Sequence, residues 1–109
     1  MKAIGSIVTV TVDRSLGSFH PEHPNIYYSV NYGYIQGIIS SDGEEQDAYI
    51  LGVDEAISEF TGRVIAIVRR ENDVEDKWVV APDGVIFTKE QITELVRFQE
   101  QYFTSTVEL

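Results

Sequence analysis

Carboxylates are concentrated in one short segment of the 109-residue chain, residues 42–47, which reads DGEEQD. Gly43 permits a sharp turn, so the side chains of Asp42 and Glu44 can swing toward Asp47. Hard divalent cations are held by several oxygen ligands, and Mg²⁺ typically takes one or two carboxylates, keeps waters and shares substrate phosphate oxygens. The spacing does not fit an EF-hand loop. From spacing alone, the segment indicates either a divalent-metal site or a solvated polar turn.

A second charged segment, residues 69–77, reads RRENDVEDK and carries three cations and four acids. Such a hairpin can hold both a metal ion and the phosphate that the ion carries, or it can be an exposed hairpin with ion pairs along its surface. Lys77 is followed directly by Trp78. Because neighbouring side chains of a strand point to opposite faces, one of these two must face inward or into a groove.

The overall charge restricts the partners of the chain. With 8 Lys and Arg against 18 Asp and Glu, the formal net charge is −10, and seven of the acids lie in residues 42–60, which contain no base. Such a chain repels a nucleic-acid backbone, so we expect no nucleic-acid partner. No run approaches the roughly 18 apolar residues that span a bilayer, so we expect no membrane partner. The lack of cysteine fits a reducing compartment, and a cytoplasmic location is expected.

Period-two alternation predicts the strands that position these charges. Residues 8–12 read VTVTV, which indicates a strand with Val8, Val10 and Val12 facing inward. A proline-containing loop is predicted for residues 13–25, and alternation then resumes with Tyr28, Tyr32 and Tyr34 on one face. Further strands are predicted at residues 47–53, 63–70 and 77–81.

One helix is predicted, as the last element of the chain. Thr88 and Gln91 have the spacing of a capping box. Apolar residues follow at helical spacing, and these are Ile92, Leu95, Val96, Tyr102 and Phe103. About five strands and one helix indicate a mainly β fold, a small β-barrel or open sheet with one C-terminal α-helix. A single domain is expected over residues 1–109.

Three stretches resemble the central motifs of the soluble family I inorganic pyrophosphatases. They are YSVNYGYI at residues 28–35, SDGEEQDA at residues 41–48 and EDKWVVAP at residues 75–82. The Tyr-x-x-Asn-Tyr-Gly-Tyr pattern followed by Asp-Gly-acid-x-x-Asp is specific, and the resemblance runs from about residue 28 to residue 102. It implies an OB-like β-barrel and Mg²⁺-dependent hydrolysis of pyrophosphate to two phosphates by a metal-activated water.

The resemblance also implies roles for individual residues. Position by position, these roles are metal binding for Asp42, Asp47 and Glu75, acceptance of the proton of the attacking water for Glu44, and phosphate binding for Lys77, Tyr32 and Tyr102. A further metal-binding acid of the family has Asp73 as its nearest match. The family's arginine ahead of the tyrosine motif matches His20 by strict count, or Arg14 if the loop folds back.

Departures from the family keep other functions open. The chain is shorter than typical members, lacks the N-terminal hairpin that supplies a Lys and a Glu, and has Phe103 where a lysine is expected. Fewer cations then neutralise phosphate, which favours weak activity or another phosphorylated substrate. The alternatives are a catalytically weak or silent module that binds a divalent metal and a phosphorylated ligand, and a purely structural OB-like protein with solvated acids. A homo-oligomer also remains open.

Overall fold

The computed structural model describes residues 3–71 and 76–109. Within these residues the elements in chain order are β1 (Ile7–Arg14), β2 (Asn31–Ile39), β3 (Glu45–Ile50), β4 (Glu59–Arg70), β5 (Asp76–Ala81), α1 (Lys89–Glu100) and β6 (Ser105–Glu108). The predicted strands are all present, with shifted ends. No helix in this described part is long and apolar enough to cross a membrane.

Five of the strands close into a barrel. Their order is β1-β2-β3-β5-β4, and β1 also pairs with β4, which completes the ring. All pairs are antiparallel except β3 with β5, which is parallel. The twelve-residue β4 is long enough to pair with β1 near its start and with β6 near its end. The predicted mainly β barrel with one helix near the C-terminus is confirmed.

The Asn-Tyr-Gly-Tyr motif at the start of β2 has structural functions. A Cβ atom on Gly33 would lie 1.9 Å from the backbone oxygen of Thr11, so only glycine permits the close approach of β1 and β2 here. Asn31 is fully buried, and its Oδ1 accepts hydrogen bonds from the backbone N–H groups of Leu16 at 2.9 Å and Ile57 at 3.3 Å. The motif therefore fixes two loops and one strand pairing around the same point.

The core has two parts. One part lies inside the barrel and contains the predicted inward residues Val8 and Val10, both buried. The other lies between the barrel and α1, where Tyr28, Tyr32 and Tyr49 pack together with the helix. The rings of Tyr32 and Tyr49 are 5.0 Å apart and meet edge to face, a favourable arrangement for aromatic pairs. The tyrosines thus form a wall between the barrel and the helix.

The predicted helix is correct at its start and wrong at its end. The Thr88 Oγ1 accepts from the Gln91 N–H at 3.1 Å and the Gln91 side chain accepts from the Thr88 N–H at 2.9 Å, which completes the capping box. The helix ends at Glu100, however, so Tyr102 and Phe103 lie beyond it. The chain turns there because the following segment forms β6, which pairs with β4 and buries Val107. The helix is therefore not the last element.

Candidate functional site

A polar cavity of about 290 Å³ lies where the ends of several strands meet α1 and the loop before β2. Since liquid water occupies about 30 Å³ per molecule, the space suits a small ligand. The residues that line it are Arg14, His20, His23, Ile26, Tyr32, Asp47, Arg70, Lys77, Gln99 and Phe103. The cavity therefore brings together five residues that are candidates from the sequence: Arg14, His20, Tyr32, Asp47 and Lys77.

Lys77 faces this cavity, while its neighbour Trp78 packs against the core inside the barrel. The Lys77 side chain is only 4% exposed, and its Nζ lies 2.7 Å from Oδ2 of Asp47. The same Nζ is 5.9 Å from the centre of the Tyr32 ring. The alternation of β5 thus puts a buried ammonium group beside a carboxylate and a phenol.

Tyr32 offers a hydrogen-bond donor to the cavity. Burial raises the pKa of Tyr32 above its ordinary value, and the nearby charges of Lys77 and Asp47 act on it in opposite directions. The phenol therefore stays protonated at neutral pH. A protonated phenol can donate to a phosphate oxygen, which is the role that the resemblance implies for this residue.

Arg14 reaches the cavity from the end of β1. A bulge in the pairing of β1 with β2 sets Arg14 opposite Tyr32. The Arg14 NH1 donates to the hydroxyl of Tyr28 at 2.9 Å, and its guanidinium carbon is 5.9 Å from the rings of both tyrosines. The loop folds back, with the His20 N–H bonded to the Ile26 oxygen at 3.0 Å. Both candidates for the family's arginine, Arg14 and His20, consequently line one cavity.

Arg70, one of the three cations of the segment at residues 69–77, lines the cavity, although the resemblance gives it no role. Its Nε and NH2 donate to the two carboxylate oxygens of Glu100 at 3.0 and 2.7 Å, and the two side chains are 6% and 4% exposed. The guanidinium also stacks on Phe103, 3.7 Å from the ring centre. Burial disfavours the charged form, but the hydrogen bond and charge of Glu100 together raise the pKa of Arg70, so it remains a cation.

Hydrogen bonds through the core connect the two arginines. Tyr28, which accepts from Arg14, donates to Oε1 of Gln99 at 2.6 Å. The Gln99 amide donates to the Tyr49 hydroxyl at 2.8 Å, and Tyr49 donates to Oε2 of Glu100 at 2.5 Å. Two polar residues on the buried face of α1 thus hold both guanidinium groups. Gln99 and Glu100 interrupt the apolar face of the helix that Ile92 and Val96 begin, and this interruption is the feature of the sequence that indicates a buried polar network.

The acidic loop between β2 and β3 lies outside the residues that line the cavity. Asp42 and Glu44 are both exposed. Oδ1 of Asp42 accepts from the Glu44 N–H at 2.9 Å and from the Ser40 hydroxyl. The Ser40 hydrogen bond is the main reason that the pKa of Asp42 is lowered. The loop thus has the geometry of a polar turn stabilised by its own side chains.

Tyr102 borders a different cavity. Its side chain follows α1 and is 52% exposed, and its hydroxyl accepts from Nδ2 of Asn25 at 3.1 Å. This second cavity, of about 250 Å³, shares His23, Ile26 and Phe103 with the first. Tyr102 therefore lies next to the first cavity, called the cationic cavity below because Arg14, Arg70 and Lys77 line it, and does not line it itself.

The described residues do not assemble the metal-binding set that the resemblance implies. Residues 3–71 and 76–109 contain no group of three or more His, Asp or Glu side chains that could hold a metal ion. Asp47 is paired with Lys77, and Asp42 is bonded within its own turn. Glu75 and Asp73 lie outside the described residues.

The described cavity lining is instead rich in positive charge. Three fixed cations, Arg14, Arg70 and Lys77, line it with one carboxylate, Asp47. A cavity with this composition attracts an anion even though the chain as a whole is strongly acidic, because exposed charges beyond about 10 Å are largely screened. Its donors suit an oxyanion such as phosphate.

The fold is similar to solved structures of bacterial inorganic pyrophosphatases. The enzyme from Ehrlichia chaffeensis matches with a TM-score of 0.73 and 15% identity, over 98% of this chain and 88% of that one. The Neisseria gonorrhoeae enzyme matches with a TM-score of 0.69 and 19% identity, over 90% and 74%. The Helicobacter pylori enzyme matches with a TM-score of 0.65 and 19% identity, over 98% and 85%. No protein-family model and no curated protein sequence matches the chain.

Proposed function

The chain has the fold of the bacterial inorganic pyrophosphatases to which it is similar, and we propose that it hydrolyses inorganic pyrophosphate or another small phosphorylated substrate. One observation carries this proposal. Two of the three residues to which the resemblance assigns phosphate binding, Tyr32 and Lys77, line a single cavity together with Arg14, a candidate for the family's arginine. Their convergence from three strands depends on the fold and is not a consequence of local sequence.

In this proposal the cationic cavity binds the phosphoryl groups of the substrate. The planar guanidinium of Arg14 suits two oxygens of one phosphate, while the ammonium of Lys77 acts as a point charge. The Tyr32 hydroxyl donates a further hydrogen bond. The pairing of Lys77 with Asp47 keeps the lysine at the cavity wall before substrate arrives. Pre-positioned donors of this kind contribute most where negative charge develops during a reaction.

The reaction is the attack of a water oxygen on one phosphorus, with cleavage of the bond from that phosphorus to the bridging oxygen. The departing phosphate takes up the electron pair, and Arg14 and Lys77 neutralise its charge. The water proton passes to a carboxylate, a role for which we propose Glu44 on the grounds of the resemblance. Glu44→Gln should then lower kcat while leaving the affinity for phosphate unchanged.

The requirement for Mg²⁺ is a separate part of the proposal. The resemblance assigns the ion to Asp42, Asp47 and Glu75, and a bound divalent cation would neutralise phosphate charge and acidify a bound water. The carboxylates of residues 3–71 and 76–109 do not form a donor set for the ion. Oligomeric state and cytoplasmic location remain expectations.

A module that binds a phosphorylated ligand without cleaving it is the second candidate. Two observations favour it. Asp47 is neutralised by Lys77 at 2.7 Å, and Glu44 is not among the described residues that line the cavity. A cavity with cations but without a positioned base binds phosphate and leaves it intact.

Phosphate release from pyrophosphate separates the two candidates. The assay compares Mg²⁺ with excess EDTA and uses the full chain, Asp47→Ala and a control, Lys89→Gln, in which an exposed cation at the start of α1 is removed. We expect release by the full chain with Mg²⁺, unchanged release by the control and none by Asp47→Ala. Binding of pyrophosphate without any release supports the module instead, and the absence of both excludes both candidates.

A further inference from the structure

We propose that the cavity binds a single oxyanion, such as inorganic phosphate, without a divalent metal ion, and that Arg70 contacts the bound anion. This inference rests on the proposed function only for the class of ligand and not on hydrolysis. It concerns a residue to which the resemblance gives no role.

The charges of the described lining residues favour an anion in the cavity. A phosphate that enters a cavity lined with carboxylates needs a metal ion to offset repulsion. Here the lining supplies three permanent cations, Arg14, Arg70 and Lys77, and one carboxylate, Asp47, which is already paired with the lysine. Even when Glu100 is counted as the partner of Arg70, the described cations outnumber the described carboxylates by three to two, which favours an anion before any metal ion is added.

Arg70 is held in a fixed position at the cavity. Its guanidinium is fixed on one edge by two hydrogen bonds to Glu100 and on one face by the ring of Phe103. A side chain held in this way loses little conformational entropy when a ligand binds. Arginine presents five N–H donors in a plane, so it can serve a carboxylate and an oxyanion at once. Glu100 belongs to the layer behind the cavity and is not part of its described lining.

The hydrogen-bond network of the core also fixes the second arginine, Arg14. Arg14 is held by Tyr28, which is held by Gln99, the residue before Glu100. The end of α1 thus sets the positions of two guanidinium groups on one cavity. A fixed pair of guanidinium groups is a recurring arrangement for recognising phosphate oxygens.

If Arg70 contacts the anion, two variants with Glu100 replaced should change the affinity for phosphate in opposite directions. Glu100→Gln removes the charge that compensates Arg70, so phosphate should bind several-fold more tightly. In Arg70→Met/Glu100→Gln the cation is also removed, while the glutamine keeps an acceptor for Tyr49, so phosphate should bind about tenfold or more weakly than to the full chain. A merely structural Arg70 would not give opposite changes. The matched control is Arg97→Met/Glu94→Gln, an exposed pair on the same helix that should change nothing.

The experiment is calorimetric titration of the full chain and these variants with inorganic phosphate in EDTA, after circular dichroism has shown which variants are folded. Phosphate binding by the full chain in EDTA, with the opposite changes in the two Glu100 variants, is the expected result. If those variants do not fold, Arg70→Lys, which keeps a cation beside Glu100, replaces them and should weaken binding because the planar guanidinium donors are lost; an unchanged affinity overturns the contact. Binding that appears only after Mg²⁺ is added overturns the inference and leaves the proposed hydrolysis intact. Metal-free binding without pyrophosphate hydrolysis in Mg²⁺ supports the inference and refutes the proposed function.

Discussion

Replacement of Arg70 by methionine should strongly destabilise the chain. The side chains of Arg70 and Glu100 are 6% and 4% exposed, so the substitution leaves a buried carboxylate with Tyr49 but without its cation. Breaking a buried pair by removing one partner typically costs about 3–5 kcal/mol. Since a domain of this length loses about 4 °C in Tm per kcal/mol, the expected decrease is roughly 12–20 °C.

Removal of both charges should recover most of that loss. In Arg70→Met/Glu100→Gln no buried charge is left without a partner, and neutral replacement of a buried ion pair is often close to neutral for stability. Urea unfolding measures the difference, and the fluorescence of Trp78, the single tryptophan of the chain, reports it from a half-buried site. The full chain, both variants and Arg97→Met are compared at one pH.

A substitution in an exposed ion pair provides the comparison for the buried pair of Arg70 and Glu100. Arg97 pairs with Glu94 on the exposed side of α1, so Arg97→Met should leave the free energy of unfolding almost unchanged. A cost for Arg70→Met below about 1 kcal/mol would mean that the Arg70–Glu100 pair behaves like a surface pair. The same conclusion would follow if the double variant were as unstable as the single one.

Three further predictions concern the motif and the tyrosine wall. Gly33→Ala should prevent stable folding, because the new methyl group would overlap the backbone oxygen of Thr11, and circular dichroism should show the loss of the native spectrum. Asn31→Ala should reduce the free energy of unfolding in urea by about 2–4 kcal/mol, since its side chain bonds three backbone groups of two loops. Burial, together with the charge of Glu100, raises the pKa of Tyr49, so the unfolded chain releases this proton near pH 10 before the folded chain does. Stability should therefore fall as the pH rises above about 10, and less steeply in Tyr49→Phe.

Short-range patterns in the sequence predicted the strands and the start of the helix, because these depend on residues that are close together in the chain. Alternation identified the strands that carry Val8 and Val10, and the Thr88 and Gln91 spacing identified the start of α1. The end of α1 depended on β6, whose four residues are too short a pattern to outweigh the apolar spacing of Tyr102 and Phe103. A distant strand, β4, determines where that segment lies.

The motifs predicted only part of the candidate site, since Asp42 and Glu44 belong to a motif but do not line the cavity. Tyr32, Asp47 and Lys77 were selected from three separate stretches, and the fold brings them to one cavity. Arg70 was named only as one of the cations of residues 69–77, and its pairing with Glu100 was not predicted because the two residues lie thirty positions apart in sequence. Buried ion pairs of this kind become visible only when the tertiary structure shows which charges share an interior.

If phosphate chemistry occurs in the cationic cavity, removal of a cation from the cavity lining must slow the release of phosphate. Initial rates of phosphate release from pyrophosphate with Mg²⁺ are compared for the full chain, Lys77→Gln and Lys89→Gln, all shown to be folded by circular dichroism. Lys77 lines the cavity, and Lys89 is exposed at the start of α1. The expected result is a decrease of at least about tenfold for Lys77→Gln, because a charge-assisted contact to phosphate is lost, and no change for Lys89→Gln. Equal rates for all three proteins would contradict it.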